Sequence, residues 1–163
     1  MALLDILHFP NPLLRKKCNK ITEVNKDLYR LADDMCETLD YHKGLGLAGN
    51  QVGYLKRIVV IKLPEENEFR VLINPEITKM EGRIESKEGC LSIPGFYEYV
   101  YRYEKIEIKA YDLTGKEVIY VPDGIQSVVF QHEFDHLDGI LFPERMSQIK
   151  KDIFMKKINK EFK

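Results

Sequence analysis

Apolar residues between positions 25 and 42 recur at intervals of three and four, the spacing that places side chains on one face of an α-helix. These residues are Leu28, Leu31, Ala32, Met35, Cys36 and Leu39. The pattern predicts an amphipathic N-terminal helix that ends near His42, with Gly44 just beyond its last turn. Residues 147–163 carry many lysines opposite an apolar stripe of Ile149, Ile153, Ile158 and Phe162. This second pattern predicts a C-terminal helix that packs on a sheet.

The middle of the chain carries the patterns of β-strands. Residues 57–61 are a continuous β-branched run, which predicts a strand buried on both faces. Further strands, short or half-buried, are predicted at 71–73, 84–86, 97–103, 106–110 and 117–121. With the helices, these elements predict an α+β fold in which antiparallel β-sheets pack around one central helix.

That central helix is predicted between Ile125 and Asp138, a stretch without proline or glycine that Asp123 can cap and Gly139 can end. It contains the segment Val128 to Gly139, with the motif His132-Glu133-Phe134-Asp135-His136. Residues four apart on a helix share a face, so the two imidazoles can hold one divalent metal ion while Glu133 reaches a metal-bound water. The alternative is a helix with two surface histidines and a solvated acid.

A catalytic metal site usually has three protein ligands, and no histidine follows His136. A third donor is available upstream in Glu88-Gly89-Cys90-Leu91-Ser92, since a thiolate is a strong ligand for such ions. The alternative for Cys90 is a small buried hydrophobic residue, which is the common fate of a free cysteine.

Residues 44–53 contain four glycines, which implies that the backbone approaches another group closely. The segment lacks the Lys-Ser/Thr of a phosphate-binding loop and does not follow a predicted strand, so it is not a nucleotide-binding fingerprint. The alternative is a flexible loop after the first helix. Gln51, near its end, offers an amide donor.

The three segments, in this order, resemble the peptide deformylase family. The resemblance covers nearly the whole chain and rests on Gly44 to Gln51, Glu88 to Ser92, and Gln131 to Leu137. One position departs from the family's pattern, because Gly49 stands where its second alanine is expected. We expect this glycine to loosen the segment, so that Gly49→Ala slightly raises the melting temperature, unless Gly49 has a positive φ that alanine resists.

The resemblance implies a hydrolase that removes the formyl group from the N-terminal formylmethionine of newly made proteins and releases formate. It implies metal ligation by Cys90, His132 and His136, with Glu133 as general base and then general acid while a metal-bound water attacks the formyl carbon. The Gln51 amide and the Leu91 backbone N–H would donate to the oxyanion, and the backbone at Gly46 would lie along the substrate. The implied ion in the cell is Fe²⁺, replaceable by Zn²⁺, Ni²⁺ or Co²⁺.

Helix geometry adds a prediction about the substrate side chain. Ile125, Val128 and Val129 share a face with His132, because they are spaced three and four residues apart. An apolar patch therefore adjoins the predicted metal and suits an unbranched apolar side chain. We also expect Glu88 to pair with Arg102 and so to fix the segment that presents Cys90, although a solvated surface pair is the alternative.

Three other functions share parts of this pattern. A zinc endopeptidase would share the helix motif, but a thiolate ligand weakens the Lewis acidity of the metal and the glycine-rich segment would go unexplained. A blue-copper electron carrier also uses two histidines and a cysteine with a weak methionine ligand, but it has no need of Glu133. A catalytically silent binding module of the same fold would lack Glu133, Gln51 or a ligand, and all are present.

Composition limits the domain number, the partners and the cellular compartment that we expect for this protein. The 163 residues suit one catalytic domain spanning 1–163, and the formal charge of −1 gives no reason to expect nucleic-acid or membrane binding. The N-terminus lacks the features of a signal peptide, and no 18-residue apolar run exists. Three cysteines are an odd number that favours reduced thiols. We therefore expect a cytoplasmic monomer that meets nascent chains, with the ribosome exit as one place of encounter.

Overall fold

The computed structural model describes residues 2–162, so the predicted bounds at Met1 and Lys163 lie outside the described residues. The helices are α1 (Lys26–His42), α2 (Gly124–Leu137) and α3 (Gln148–Glu161), with 3₁₀ turns at Pro12–Arg15, Gly49–Val52 and Phe142–Arg145. The strands are β1 (Gly46–Ala48), β2 (Ile58–Ile61), β3 (Arg70–Glu81), β4 (Ile84–Cys90), β5 (Ile93–Arg102), β6 (Lys105–Tyr111) and β7 (Glu117–Tyr120). The predicted α+β class is confirmed.

The strands form two antiparallel sheets. The larger has the order β1-β2-β3-β6-β7, and the smaller is the hairpin β4-β5. Helix α2 contacts β1, β2 and β6 of the large sheet and also β4 of the hairpin. It is therefore the central helix of the prediction, and every residue from Ser127 to Leu137 is buried.

Within the run predicted at 57–61, all of Ile58–Ile61 is buried on both faces, because a helix covers each face of the large sheet, while Arg57 is half-buried and precedes the strand. Val59 and Ile61 pack in the core that contains Phe130 of α2. Ile58 and Val60 pack with the apolar face of α1, whose buried residues are Leu28, Leu31, Ala32, Met35 and Leu39. The first turn of α1 is capped by the Asn25 side chain, which accepts a hydrogen bond from the Leu28 N–H at 3.0 Å.

Several strands are longer than predicted, β3 and β4 by the most. The strand predicted at 71–73 is only the buried part of β3, whose second half is mostly exposed and is held by pairing with β6. The strand predicted at 84–86 continues to Cys90. The pattern of apolar residues indicates which positions are buried and not which strands pair. It therefore does not mark the parts of a strand that are exposed to water.

The glycine-rich segment is not a flexible loop. Gly46–Ala48 is the edge strand β1, and the 3₁₀ turn Gly49–Val52 follows it directly. All residues from Gly46 to Val52 are buried. No strand pattern is visible here, because glycine and alanine contribute little to the apolar periodicity.

The C-terminal helix exists, but only Ile158 and Phe162 of its predicted apolar stripe pack in the core. Ile149 and Ile153 are 76% and 55% exposed, whereas Phe154 and Ile158 are buried. Successive residues turn by about 100° around a helix, so Ile149 and Ile158, nine apart, lie on opposite sides. The buried side packs with Phe142 and with Ile93 and Val100 of β5, so the helix packs on a sheet as predicted, and that sheet is the small hairpin. Among residues 2–162, no helix is long and apolar enough to cross a membrane.

Candidate metal centre

Three potential metal ligands converge where the end of β4 meets α2. The Sγ of Cys90 lies 3.2 Å from Nε2 of His136, and the Nε2 atoms of His132 and His136 lie 3.3 Å apart. All three ligand atoms lie within 4.8 Å of one another. Donors bound to one tetrahedral ion at 2.0–2.3 Å are separated by about 3.3–3.7 Å. The residues and their geometry therefore fit one divalent metal ion.

The orientation of His132 is set by Glu88, whose Oε1 lies 2.8 Å from Nδ1 of the ring. The hydrogen bond occupies Nδ1 and leaves Nε2 for the ligand cluster. Arg102 donates to both Glu88 oxygens at 2.8 Å. Burial by itself raises the pKa of Glu88, but hydrogen bonds from Arg102 and His132 outweigh it and lower this pKa to about 2. The predicted pair of Glu88 and Arg102 is thus present, and it is buried rather than solvated.

Asp135 extends this network, and sequence reasoning assigned it no role. Its Oδ2 lies 2.5 Å from Nη1 of Arg102 and accepts a hydrogen bond from Nε of Arg145 at 2.9 Å, while Oδ1 accepts from Nη2 of Arg145 at 2.6 Å. Arg145 belongs to the 3₁₀ turn that precedes α3. A continuous chain of ion pairs therefore links the C-terminal segment to His132 through Asp135, Arg102 and Glu88. The only signal in the sequence was an acid directly before His136.

Glu133 lies on α2 between the two histidines, with its side chain against β1. A Cβ atom at Gly46 would lie 2.5 Å from Cγ of Glu133, so any larger residue at this position displaces the carboxylate. Burial raises the pKa of Glu133 to about 7. Its Oε1 is buried and has no hydrogen-bond partner within the part of the chain that the structure describes. A buried carboxyl oxygen without a partner, next to three metal ligands, is a group available to accept a proton.

Burial also acts on the two histidines. It lowers the pKa of His136 well below the usual value, which keeps this imidazole neutral and able to bind a metal. Burial alone would lower the pKa of His132 as well, but Glu133, Cys90 and Glu88 raise it. A proton therefore competes with a metal ion for His132, since a ligand must be deprotonated to bind.

Gln51, in the 3₁₀ turn after β1, is held from both ends of its amide. Its Oε1 accepts a hydrogen bond from the Ala48 N–H at 2.9 Å, and its Nε2 donates to Oγ of Ser92 at 3.1 Å. The same Nε2 lies 3.6 Å from Sγ of Cys90. The amide donor is thereby aimed at the metal ligands. Ser92, a member of the second sequence segment, orients Gln51, a role that the sequence did not suggest.

Gly49 is a tightly packed position, and both sequence-based explanations of it are wrong. A Cβ atom here would lie 2.5 Å from the Lys56 carbonyl oxygen and 2.8 Å from that of Tyr54. The segment is therefore not loosened by Gly49, and alanine would clash with backbone. Gly49 is also absent from the residues with positive φ. Close approach of the chain at Tyr54–Lys56, rather than backbone conformation, explains the glycine.

The ligand cluster opens into a cavity of about 550 Å³. Its lining includes nearly all of the predicted site residues, namely Gly46, Gln51, Cys90, Leu91, Ile125, Val128, Val129, His132 and Glu133. His136 lies behind them and is fully buried. Val128 and Val129 are buried, while Ile125 is 58% exposed at the cavity mouth. His8 and His42 are exposed on the rim, outside the ligand cluster.

A second cleft, of about 670 Å³, lies against another face of α2, beside Phe134, Asp135 and Asp138. It is the larger of the two, but it contains none of the metal-ligating atoms. The chemistry therefore assigns the active site to the smaller cavity.

A buried helix carries two histidines and, between them, a glutamate whose Oε1 has no partner among residues 2–162. A cysteine from a neighbouring strand completes the site, and this arrangement defines a metal-dependent hydrolase. Comparison with known proteins identifies which kind. Residues 3–152 match the family model described as polypeptide deformylase. The chain belongs to this family, whose members hydrolyse the formyl amide at a protein's N-terminus.

Relatives agree over the full length. A peptide deformylase of Thermodesulfovibrio yellowstonii is 46% identical over 160 residues, covering 96% of this chain and 97% of that protein. The crystal structure of peptide deformylase from Thermus thermophilus superposes with a TM-score of 0.92 at 39% identity, covering 98% of this chain and 95% of that one. The Ehrlichia chaffeensis enzyme in complex with actinonin gives a TM-score of 0.92 at 36% identity, covering 100% and 99%.

Proposed function

We propose that this chain removes the formyl group from formylmethionine at the N-terminus of new polypeptides, with Glu133 moving the proton beside one divalent ion. The observation that carries the proposal is the Glu133 carboxylate, buried and without a partner for Oε1 among the described residues, adjacent to Cys90, His132 and His136. The three ligands and this carboxylate together make a hydrolytic site.

We propose Cys90, His132 and His136 as the ligands and Fe²⁺ as the ion in the cell. When bound, a divalent ion supplies Lewis acidity that polarises the formyl carbonyl and lowers the pKa of a water molecule. Two imidazoles and a thiolate also accept Zn²⁺, Ni²⁺ or Co²⁺. The choice of iron rests on membership of the family, whereas the donor set supports any of the four ions.

Glu133 is the proposed general base and general acid. Its Oε1 takes a proton from the attacking water as the C–O bond forms, and returns a proton to the departing amine nitrogen as the C–N bond breaks. Formate and a free N-terminal amine result. A pKa near 7 suits a group that must both accept and donate a proton at neutral pH.

Gln51 and Leu91 are the proposed oxyanion donors. Nε2 of Gln51 is aimed at the ligand cluster by its contacts with Ala48 and Ser92, and Leu91 directly follows the ligand Cys90 and lines the cavity. The Gln51 amide and the Leu91 backbone N–H then share the negative charge that develops on the formyl oxygen. Removing one such donor typically costs about 10²–10³ in turnover.

The cavity supports the proposed specificity for methionine. Val128 and Val129 form an apolar wall next to His132, with Ile125 at the mouth, and an unbranched apolar side chain fits beside them. Gly46 lies on β1, an edge strand whose outer side pairs with no other strand of the described sheet. An extended peptide can add to such an edge through main-chain hydrogen bonds. The substrate backbone is therefore proposed to run along Gly46.

We propose that the protein works as a monomer in the cytoplasm and acts on nascent chains near the ribosome exit. All side chains of the proposed site come from one chain, which supports a functional monomer. Cys18, Cys36 and Cys90 are all free, which supports a reducing compartment. The formylated N-terminus is available as soon as a polypeptide emerges from the ribosome, and for this reason we place the reaction near the ribosome exit.

The competing functions account for less of this site. A zinc endopeptidase leaves the thiolate of Cys90 and the aimed amide of Gln51 without a role. A blue-copper site most often has a weak methionine ligand, no methionine lines the cavity within residues 2–162, and electron transfer gives Glu133 no role. A silent binding module leaves the buried Glu133 unexplained, since burying an unpartnered carboxyl group is unfavourable.

Formate release separates these functions. The enzyme is purified without oxygen, its metal content is measured, and it is given formyl-Met-Ala-Ser, acetyl-Met-Ala-Ser and an unmodified internal peptide. We expect formate from the first peptide only, with one metal ion per chain. Cleavage of the internal peptide would support an endopeptidase, and the absence of formate with metal bound would contradict the proposal.

A further inference from the structure

Four tyrosines form an exposed row along the β4–β5 hairpin. They are Tyr97, Tyr99, Tyr101 and Tyr103, and their exposed fractions are 63%, 47%, 49% and 46%. We call this row the tyrosine track. Alternate residues of a strand point to one face, so the first three share the outer face of β5, while Val100, between Tyr99 and Tyr101, and Arg102, after Tyr101, are buried. At about 7 Å per pair of residues, the track is about 20 Å long.

The track is continuous with the active-site cavity. Tyr97 lines the cavity, and so does Lys87 of β4. Lys87 pairs in register with Tyr99, and its Nζ lies 5.9 Å from the centre of that ring. Further along, the guanidinium of Arg83 lies 3.7 Å from the ring centre of Tyr101. An aromatic surface therefore leads from the cavity mouth to the far end of the hairpin.

The substrate requires such a surface. Its formylated end lies at Glu133 under the proposed function, and the rest of a long polypeptide has to leave the cavity. The residues that follow the first methionine differ from protein to protein, so any contact with them has to tolerate many sequences. Tyrosine suits this, because its ring offers apolar contact area and its hydroxyl adapts to many hydrogen-bond partners at little entropic cost.

We propose that the tyrosine track binds the substrate polypeptide beyond the residues held in the cavity. This inference rests on the proposed function and adds to it a preference for long substrates over short ones. A track of about 20 Å accommodates about six residues of extended chain. RNA could also use the rings with Arg83 and Lys87 beside them, but continuity of the track with the active-site cavity favours the polypeptide substrate as its occupant.

The test compares a formylated tripeptide with a formylated twelve-residue peptide that begins with the same three residues. Variants Tyr99→Thr, Tyr101→Thr and the double variant remove the rings while keeping a residue that favours strands. Tyr54→Thr is the matched control, since Tyr54 is similarly exposed at 44% but lies outside the cavity and the hairpin. Tyr97 is left intact because it lines the cavity.

We expect the wild-type kcat/KM to be about tenfold higher for the longer peptide, through KM, and the double variant to lose this advantage. The kcat/KM of the double variant for the tripeptide should stay within about twofold of wild type. For Tyr54→Thr, kcat/KM should stay within about twofold of wild type for both peptides. Equal kcat/KM for the two peptides in the wild type, or an advantage kept by the double variant, would overturn the proposal.

Other occupants of the surface have separate readouts. Loss of single-stranded RNA binding or of dimerisation in the double variant, with the length preference intact, would assign the track to that partner and overturn our inference. A wild-type enzyme that releases no formate from the tripeptide contradicts the proposed function instead. Binding of the labelled twelve-residue peptide, measured by fluorescence anisotropy, then still tests the track, and equal affinity in wild type and double variant would refute it.

Discussion

Nδ1 of His132 lies 2.8 Å from Oε1 of Glu88, a carboxylate that is itself held by two hydrogen bonds from Arg102. The residue that orients one proposed ligand therefore comes from the same strand, β4, that ends at the ligand Cys90. One strand thus supplies a ligand and the support for another, so displacement of β4 would disturb two of the three ligands together.

The Glu88→Gln variant tests this support. Glutamine keeps the size of the side chain but removes the charge that holds Arg102 and favours the hydrogen bond to His132. We expect metal affinity, measured by competition with a chelator, to fall about 10–100-fold. Glu85→Gln on the same strand is the control, since Glu85 is exposed. Unchanged affinity in Glu88→Gln would show that packing alone orients the ring.

The two outer members of the ion-pair chain should differ in importance. Asp135→Asn removes one of the two carboxylates that pair with the buried Arg102, which Glu88 still holds, and should lower the free energy of unfolding by about 2–3 kcal/mol through the loss of a buried charged hydrogen bond. Arg145→Gln should cost about 1 kcal/mol, because the Arg145 side chain is 45% exposed and its pair is partly screened by solvent. Urea denaturation of both variants measures the two values, and equal losses would contradict this ranking.

Glu133 should reduce the stability of the metal-free protein above neutral pH. Its pKa is raised by burial to about 7 in the folded state from a usual 4.5. The folded state therefore holds the proton more tightly, and stability present below pH 4.5 is lost as pH rises towards 7. Over that range the loss is roughly 3 kcal/mol.

Glu133→Gln removes this penalty, because its amide does not ionise. We expect the metal-free variant to gain free energy of unfolding relative to the wild type between pH 4.5 and pH 8. Groups that do not interact with Glu133 cancel in the difference, whereas the pKa of His132, which Glu133 raises, should fall in the variant. A difference that stays constant with pH would mean that the carboxyl titrates normally.

Gly49→Ala should destabilise the protein by about 1–3 kcal/mol, since the new methyl group overlaps two backbone carbonyl oxygens that side-chain movement cannot displace. Gly44→Ala is a useful comparison, because its Cβ would meet only the side-chain ends of Leu39 and Leu91. Thermal melts should show the larger loss at position 49. A higher melting temperature for Gly49→Ala would restore the view that this glycine adds only flexibility.

Much of the site was predictable because its chemistry is concentrated in short segments. The spacing of His132 and His136 on a helix places them on one face whatever surrounds them, and the resemblance brought Cys90 to them from 42 positions earlier in the chain. The cavity wall of Val128 and Val129 followed from the same helical geometry.

The parts that were missed depend on particular tertiary contacts and close backbone approaches. Asp135 is joined by Arg102 and Arg145, and Gly49 is constrained by carbonyl groups at Tyr54 and Lys56. Neither relationship leaves a periodic pattern in the sequence. The buried face of α3 was predicted incorrectly for a related reason. Phe154 is buried because it packs in the hydrophobic cluster around Phe142, and the spacing of residues within the helix does not reveal that contact.

The division of labour between ligand and base is the central claim, and one paired measurement tests it most directly. His132→Ala and Glu133→Ala are purified without oxygen, and their metal content and formate release are measured side by side. We predict that His132→Ala loses both the metal and the activity, whereas Glu133→Ala keeps about one metal ion per chain and loses turnover by at least about 10²-fold. Metal loss in Glu133→Ala, or metal and normal turnover retained in His132→Ala, would contradict the account.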